Sequence, residues 1–354
     1  MSDIQRYWVP GLLTAEDQKK QGRTAWLTVT YQGQDITKDV SRSIVSFTAN
    51  DNAAYVSDDI SLTLQDRERL WLEAWFPEHG DIMSVAIQTR DWRWPEDEQV
   101  LDLGSFLMDE PEYTLSPSSI TLRGTSIPRN RDFTDTERDQ VWKSINLSTV
   151  AGEIANRAGM ELLFDSAINP LVQRQDQSGT PDMEFLCGLC QRFGVAFKVT
   201  NNSIVIYDFA TYEAKPPALT IYRDSAEIQV GGRLRRNQAF TAARLKNSDK
   251  NNKKMTYTFA DPNKTELPQK LLELDESCSG QAEMQLVAKG RLREINAQEY
   301  AVALNVVGNT ALVAGVTIDL ADFGNFDGTY FVDKVRYTMK PFVCGIEAHR
   351  VLGW

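Results

Sequence analysis

Cys187 and Cys190, set in Cys-Gly-Leu-Cys, have the spacing of a redox or metal-binding pair. Thioredoxin-type chemistry needs a strand before the motif and an exposed helix N-terminus that lowers the thiol pKa. A zinc site needs a second pair, and Cys278 and Cys344 stand alone in sequence. The only histidines are His79 and His349, so any Ser-His-Asp or Cys-His arrangement has to use one of them. His79 sits in a Pro77-Glu78-His79-Gly80 turn and His349 at alternating spacing in the last predicted strand; no GxSxG, HExxH or P-loop pattern occurs. Asp109, Glu110 and Glu112 resemble a glycosidase dyad only superficially, because acids beside Pro111 in a loop do not face one another across a cleft. Trp71, Trp75, Trp92 and Trp94 could form a sugar platform. Arg67 to Phe76 reads as a short helix or loop, where Trp71 and Trp75 at i, i+4 fit a helix packing on the barrel more simply, and Trp92 and Trp94 around Arg93 fit a protein interface or the core. We assign no catalytic, cofactor-binding or metal-binding residue, and the expectation is that the chain is not an enzyme.

The cysteine pair belongs to the stretch from Asp176 to Tyr212, which predicts a helix followed by a tight hairpin. Thr180 is the expected cap, with Pro181 in the first helical position and Asp182 on the positive end of the dipole. Met183, Leu186, Cys187 and Cys190 recur at i, i+3, i+4, i+7 and predict one buried face, ended by Gly194. Val195, Phe197 and Val199 then alternate, and Asn201-Asn202 turns the chain back through Ile204 to Tyr207. Both cysteines are thus expected in a packed core, where free Cys is common.

The surrounding chain is mostly of period two. From Thr24 to about Ile127, alternation at Leu27–Tyr31, Ile60–Leu64 and Met83–Ile87, with a Ser116-Pro117-Ser118-Ser119 turn, predicts many short strands of a barrel or sandwich. From Val141 the period lengthens: Leu147, Val150, Ile154 and Ala158 form a helical stripe closed by Gly159, followed by a strand from Glu161 and a loop to Gly179. After Pro216-Pro217 strands return at Met255–Phe259, Tyr300–Val306, Val316–Leu320, Tyr330–Tyr337 and Gly345–Leu352, with a helix from Gln281 to Ile295 capped by Ser279. The expected domains are an arm at 1–22 bearing Tyr7 and Trp8, a first β-barrel at 23–138, an inserted α+β module at 139–210 and a second β-barrel at 211–354. Residues 211–245 fit either barrel.

With 354 residues, 42% hydrophobic and 25% charged, the chain is of soluble globular type and large enough for two or three cores. No apolar run reaches membrane-span length and the start MSDIQRYWVP lacks signal-peptide order, so synthesis and assembly in a host cytoplasm, with reduced thiols and no membrane insertion, are expected. A net charge of −11 disfavours nucleic-acid binding by the whole surface. The local exception is Arg233 to Lys254, where Arg233, Arg235, Arg236, Arg244, Lys246, Lys250, Lys253 and Lys254 face a single acid, Asp249. It reads as a solvated hairpin or as a docking surface for an acidic partner.

From about Val40 to Leu352 the chain resembles the late control D family of phage tail proteins, central hubs of contractile-tail baseplates. The likeness is carried by SIVSFTANDNAAYVSDDISLTLQD, by LGSFLMDEPEYTLSPSSITLRGTSI, by WKSINLSTVAGEIANRAGM followed by DQSGTPDMEFLCGLCQRFGVAFKV, and by LADFGNFDGTYFVDKVRYTMKPFVCGIEAHRVL. That family is similar to the hub part of type VI secretion spikes. The resemblance implies a mainly β chain with an α+β insertion, and two tail-tube-like β-barrels per chain that assemble as a ring-forming homotrimer. It implies a structural virion protein that adapts the sixfold tail tube to the threefold spike and leaves a channel for the genome. Implied partners are a separate spike protein, tail tube or tube-initiator proteins, a tape measure protein and baseplate wedge proteins, with DNA only as passing cargo and no cofactor. An acidic chain suits such a channel, since a negative lumen repels phosphate. A baseplate-associated cell-wall hydrolase and a glycan-binding module are the alternatives.

Overall fold

The computed structural model describes residues 22–354 apart from residues 74, 79, 110, 127–130, 224–228, 236–238 and 249–253. The expectations on the arm with Tyr7 and Trp8, on His79 and Glu110, and on Arg236, Asp249, Lys250 and Lys253 of the basic run lie outside the described residues.

The N-terminal half is built from β1 (Thr24–Tyr31), β2 (Gln34–Asp35), α1 (Thr37–Ser43), β3 (Ile44–Asn52), β4 (Asp59–Gln65), β5 (Ile82–Arg90), β6 (Glu98–Met108), β7 (Glu112–Leu115) and β8 (Ser118–Thr125). Alternation works as read: Ile60, Leu62 and Leu64 of β4 and Met83, Val85 and Ile87 of β5 are buried, and the residues between them are not. Of the short helix or loop expected around Trp71 and Trp75, the structure shows a set of turns and no helix among the described residues; the two rings still meet edge to face at 5.6 Å.

A smaller unit follows, made of β9 (Glu137–Asn146), α2 (Leu147–Ala158), β10 (Glu161–Asp165), β11 (Leu171–Pro181), α3 (Asp182–Phe193), β12 (Ala196–Thr200), β13 (Ser203–Tyr207) and α4 (Phe209–Glu213). Both main helices stop on left-handed glycines, Gly159 and Gly194, as their sequence predicts. Two expectations here are corrected. The segments around Val141 and before Gly179 are strands, because β9 and β11 pair with each other as a ribbon. Thr180 does not cap α3: β11 runs on through Pro181, and the Thr180 hydroxyl donates to the Ser178 carbonyl at 3.0 Å.

The remainder holds β14 (Leu219–Tyr222), β15 (Gln229–Leu234), β16 (Ala242–Ser248), β17 (Lys254–Ala260), β18 (Leu271–Leu274), α5 (Gln281–Ala297), β19 (Tyr300–Val307), β20 (Thr317–Ala321), β21 (Gly328–Thr338) and β22 (Val343–Arg350). Here β14 pairs with β20 and β15 with β19. Ser279 is not the cap of α5 either; Gly280 holds that position, and the Glu283 carboxylate accepts from the Ser279 amide at 2.7 Å.

The protein is mainly β, dominated by a 14-stranded sheet whose main path is β15-β19-β22-β21-β3-β4-β8-β6-β5-β1-β2. Among the described residues no barrel closes, although two were expected. The reason is the pairing of β21 with β3, from Lys334↔Asn52 to Thr338↔Thr48. It spends the edge each half would need to close on itself, and one hydrophobic core runs from Leu27 and Phe47 to Tyr337 and Ile346. The α2–α3 unit has its own core, and α5 packs on the β16–β18 sheet around a third.

Candidate functional site

The cysteines pack. Cys190 is buried, Cys187 half-buried, and burial pushes both thiols up, the opposite of what redox chemistry requires. The buried face of α3 also takes Phe185, Leu189 and Phe193, while Met183 is only half-buried. Asp109 and Glu112 are exposed, and Glu112 pairs with Arg123 at 2.9 Å. Trp71 is buried, Trp75 and Trp94 are exposed, and the Trp92 indole donates to the Gly308 carbonyl at 2.6 Å. Trp75 and Trp94 therefore do not share a platform with buried Trp71. Arg244 and Lys246 of the basic run both reach Glu273, at 3.3 and 3.1 Å.

A cavity of about 490 Å³ opens where the three parts of the chain meet. β3 brings Asp51, the approach to β4 brings Asp58, and β12 brings Lys198. The Lys198 ammonium lies 2.5 Å from Asp51 and 3.2 Å from Asp58, and donates to the Asn52 carbonyl at 2.8 Å. The other Asp51 oxygen accepts the Ala314 amide at 2.8 Å, so one cluster ties the inserted unit to both halves of the large sheet. Burial works against the Lys198 charge, but Asp51 and Asp58 outweigh it and hold the ammonium above its ordinary value. Burial lifts the Asp58 carboxyl to about 6 although Lys198 pulls it down. A lysine held protonated between two carboxylates cannot serve as a nucleophile or Schiff base, which need a depressed pKa. The cluster is a clasp.

The hairpin tip makes the same junction by close approach. Asn201 and Asn202 turn with φ of 46° and 60°, as their sequence predicts. The turn seats on β6 at Gly104, where an added Cβ would lie 2.3 Å from Asn201 Oδ1. Tyr207 donates to the Ala53 carbonyl and Tyr55 to that of Val195, both at 2.8 Å.

His349 closes a second junction. Its Nδ1 lies 2.8 Å from the Asp333 carboxylate and its Nε2 3.3 Å from Glu213, which also pairs with Arg293 of α5. Burial alone would push the imidazole down, but Asp333 and Glu213 outweigh it and raise it to about 9. His349 is thus an imidazolium at neutral pH and a poor general base. Sequence reasoning missed Asp51, Asp58, Lys198, Glu213 and Arg293, because charged residues scattered across the chain give no local spacing signal.

The large sheet presents a polar wall on the side away from its core. Thr48 faces Ser61 and Thr338 across neighbouring strands, Ser61 faces Arg123, and Thr63 bonds Thr121 at 3.1 Å. The wall continues over the β21–β3 joint through Arg336 and Lys334, the latter opposite Glu347. Acids and bases mix on it: Arg123, Lys334 and Arg336 stand among Asp59 and Glu347.

No protein-family model matches the chain. It is 25% identical over 207 residues to the probable baseplate hub protein of Escherichia phage 186, a match covering 56% of this chain and 50% of that protein. Against the probable baseplate hub protein of Escherichia phage P2 it is 26% identical over 165 residues, 46% of this chain and 39% of that protein. The chain therefore spans half or less of the length of these curated relatives. Its fold is similar to the tail protein from Neisseria meningitidis MC58, with a TM-score of 0.70 at 12% identity over 93% of this chain and 98% of that one. It is also similar to the E. coli c3393 protein, a component of the type VI secretion system that shows structural similarity to the T4 bacteriophage tail proteins gp27 and gp5. There the TM-score is 0.52 at 11% identity over 87% of this chain and 74% of that one. The resemblance to phage baseplate hub proteins read from the four quoted stretches is borne out.

Proposed function

We propose that this chain is a structural, non-enzymatic subunit of a contractile-tail baseplate hub, in which three copies form a ring between a sixfold tail tube and a threefold spike. The observation that carries this reading is the joint between β3 and β21, which sets two half-sheets side by side in one continuous wall. Two wall segments per chain and three chains give six around the axis, so one sequence can meet a sixfold neighbour on one side and a threefold one on the other. Similarity to the hub proteins of phages 186 and P2 supports the setting.

In this role the polar wall lines the passage for the genome, and spike, tail tube or tube-initiator, tape measure and wedge proteins occupy the other faces. The wall mixes both signs, so DNA slides past it for want of a continuous basic stripe, not because acids crowd the lumen. The charged clusters at Lys198 and His349 fix the parts of each chain against one another, as a rigid adaptor requires. Thr-rich wall surface and exposed Trp94 give no second reading as a hydrolase or glycan binder.

The test is the mass of the purified protein in solution, alone and with its spike. A species at three times 40.0 kDa is expected. A monomer under both conditions rejects the ring.

A further inference from the structure

The wall is an ordered run of eight strands, β7-β8-β4-β3-β21-β22-β19-β15, and every neighbouring pair in it is antiparallel. An even number of alternating strands makes the two end strands run in opposite directions. Among the described residues, β7 pairs only with β8 and β15 only with β19, so each leaves one edge open. An open edge is a template for another strand unless something guards it. Neither β7 nor β15 contains a proline or a lysine, and β15 carries Gly231-Gly232 in its middle. Leu115 on β7 is 74% exposed and Leu234 on β15 is 40% exposed.

The two edges also differ in charge. β7 opens with Glu112, two residues after the acidic pair Asp109-Glu110 in sequence, while β15 ends with Arg233-Leu234 and is followed by Arg235. We propose that β15 of one copy pairs antiparallel with β7 of a second copy of this chain, which carries the wall from subunit to subunit. Antiparallel pairing brings the acidic start of β7 to the basic end of β15. It lays Leu115 against Gly231, where an added Cβ would meet only the Ala303 carbonyl, at 3.8 Å, whereas the Phe326 ring covers the next position, Gly232. Glu112 already pairs with its own Arg123, but both groups are exposed, and exchanging such a pair costs little. Because the contact joins two different edges, it is head-to-tail and can close a ring; pairing of β15 with β15 would stop at a dimer. This proposal rests on the ring reading above and names the edges that make the ring.

The experiment places Leu115→Cys and Gly231→Cys together in the full chain and follows mild oxidation on a non-reducing gel, with the parent and each single variant as controls. Covalent dimers and trimers, and nothing larger, are expected in the double variant only. In parallel, Arg233→Glu should weaken assembly by about tenfold, and adding Glu112→Arg to the same chain should restore most of it. This charge exchange decides the matter should the cysteine variant fail to fold. A trimeric parent that gives neither the cross-link nor the charge rescue overturns the edge pairing and leaves the ring standing. Cross-linked dimers from Gly231→Cys alone assign the edge to two-fold pairing and also overturn it. A parent that is monomeric with and without spike overturns ring and edge together.

Discussion

Lys198 and His349 are cations under the packed surface, each wedged between two carboxylates from other parts of the chain. Taking such a charge out of water is costly, so it persists only where partners supply both attraction and hydrogen bonds. The His349 cluster has a consequence in pH. Its folded value of about 9 lies above the ordinary value of 6.5, so the folded state holds the proton more tightly than the unfolded one. The resulting stability is fully present below about pH 6.5 and is lost as pH rises through about 9. Denaturant unfolding at pH 7 and pH 10 should show a loss on the order of 1–3 kcal/mol in the parent that is much reduced in His349→Gln. An equal loss in both proteins would mean that other groups carry the effect.

At the scale of elements, α3 meets α5 backbone to backbone. Gly194 ends α3 at φ 71°, and an added Cβ there would sit 2.8 Å from Gly290 Cα in α5. Gly194→Ala therefore faces both a left-handed backbone and a contact that cannot yield, and should cost about 2–4 kcal/mol in thermal or urea unfolding. Gly188→Ala, mid-helix in α3 with nothing near its Cβ, should be neutral or stabilise by up to about 1 kcal/mol. The left-handed stop was legible in sequence because glycine after a helical stripe has one common use; its partner in α5 was not, because 96 positions separate Gly194 from Gly290. The same division holds elsewhere. β4, β5, α2 and the Asn201-Asn202 hairpin follow from local period and turn chemistry. The β9–β11 ribbon did not, since its polar alternation looks like loop until pairing supplies the hydrogen bonds. The caps at Thr180 and Ser279 failed because a strand or a neighbouring carboxylate claimed those residues first.

For the whole molecule, the shared core matters more than any single contact. The N-terminal half offers its β3 edge to β21 and packs Phe47 and Ile60 in one cluster with Tyr337 and Val335. A fragment of residues 22–126 should accordingly fail to fold as a monomer, seen as poor amide dispersion and no cooperative melt; a well-folded fragment would show that the first half seals itself. The architecture was readable as mainly β, but the joint between halves was invisible, because strand partners far apart leave no mark on local pattern. That distance has a consequence during synthesis. Asn52 and Lys334 are 282 positions apart, so at about 5–20 residues per second the edge of β3 stands bare for roughly 14–56 s before its partner leaves the ribosome. Each nascent chain thus exposes a ready strand for longer than many domains take to fold, and crowding of such chains on one message favours chaperone capture or mispairing over early assembly.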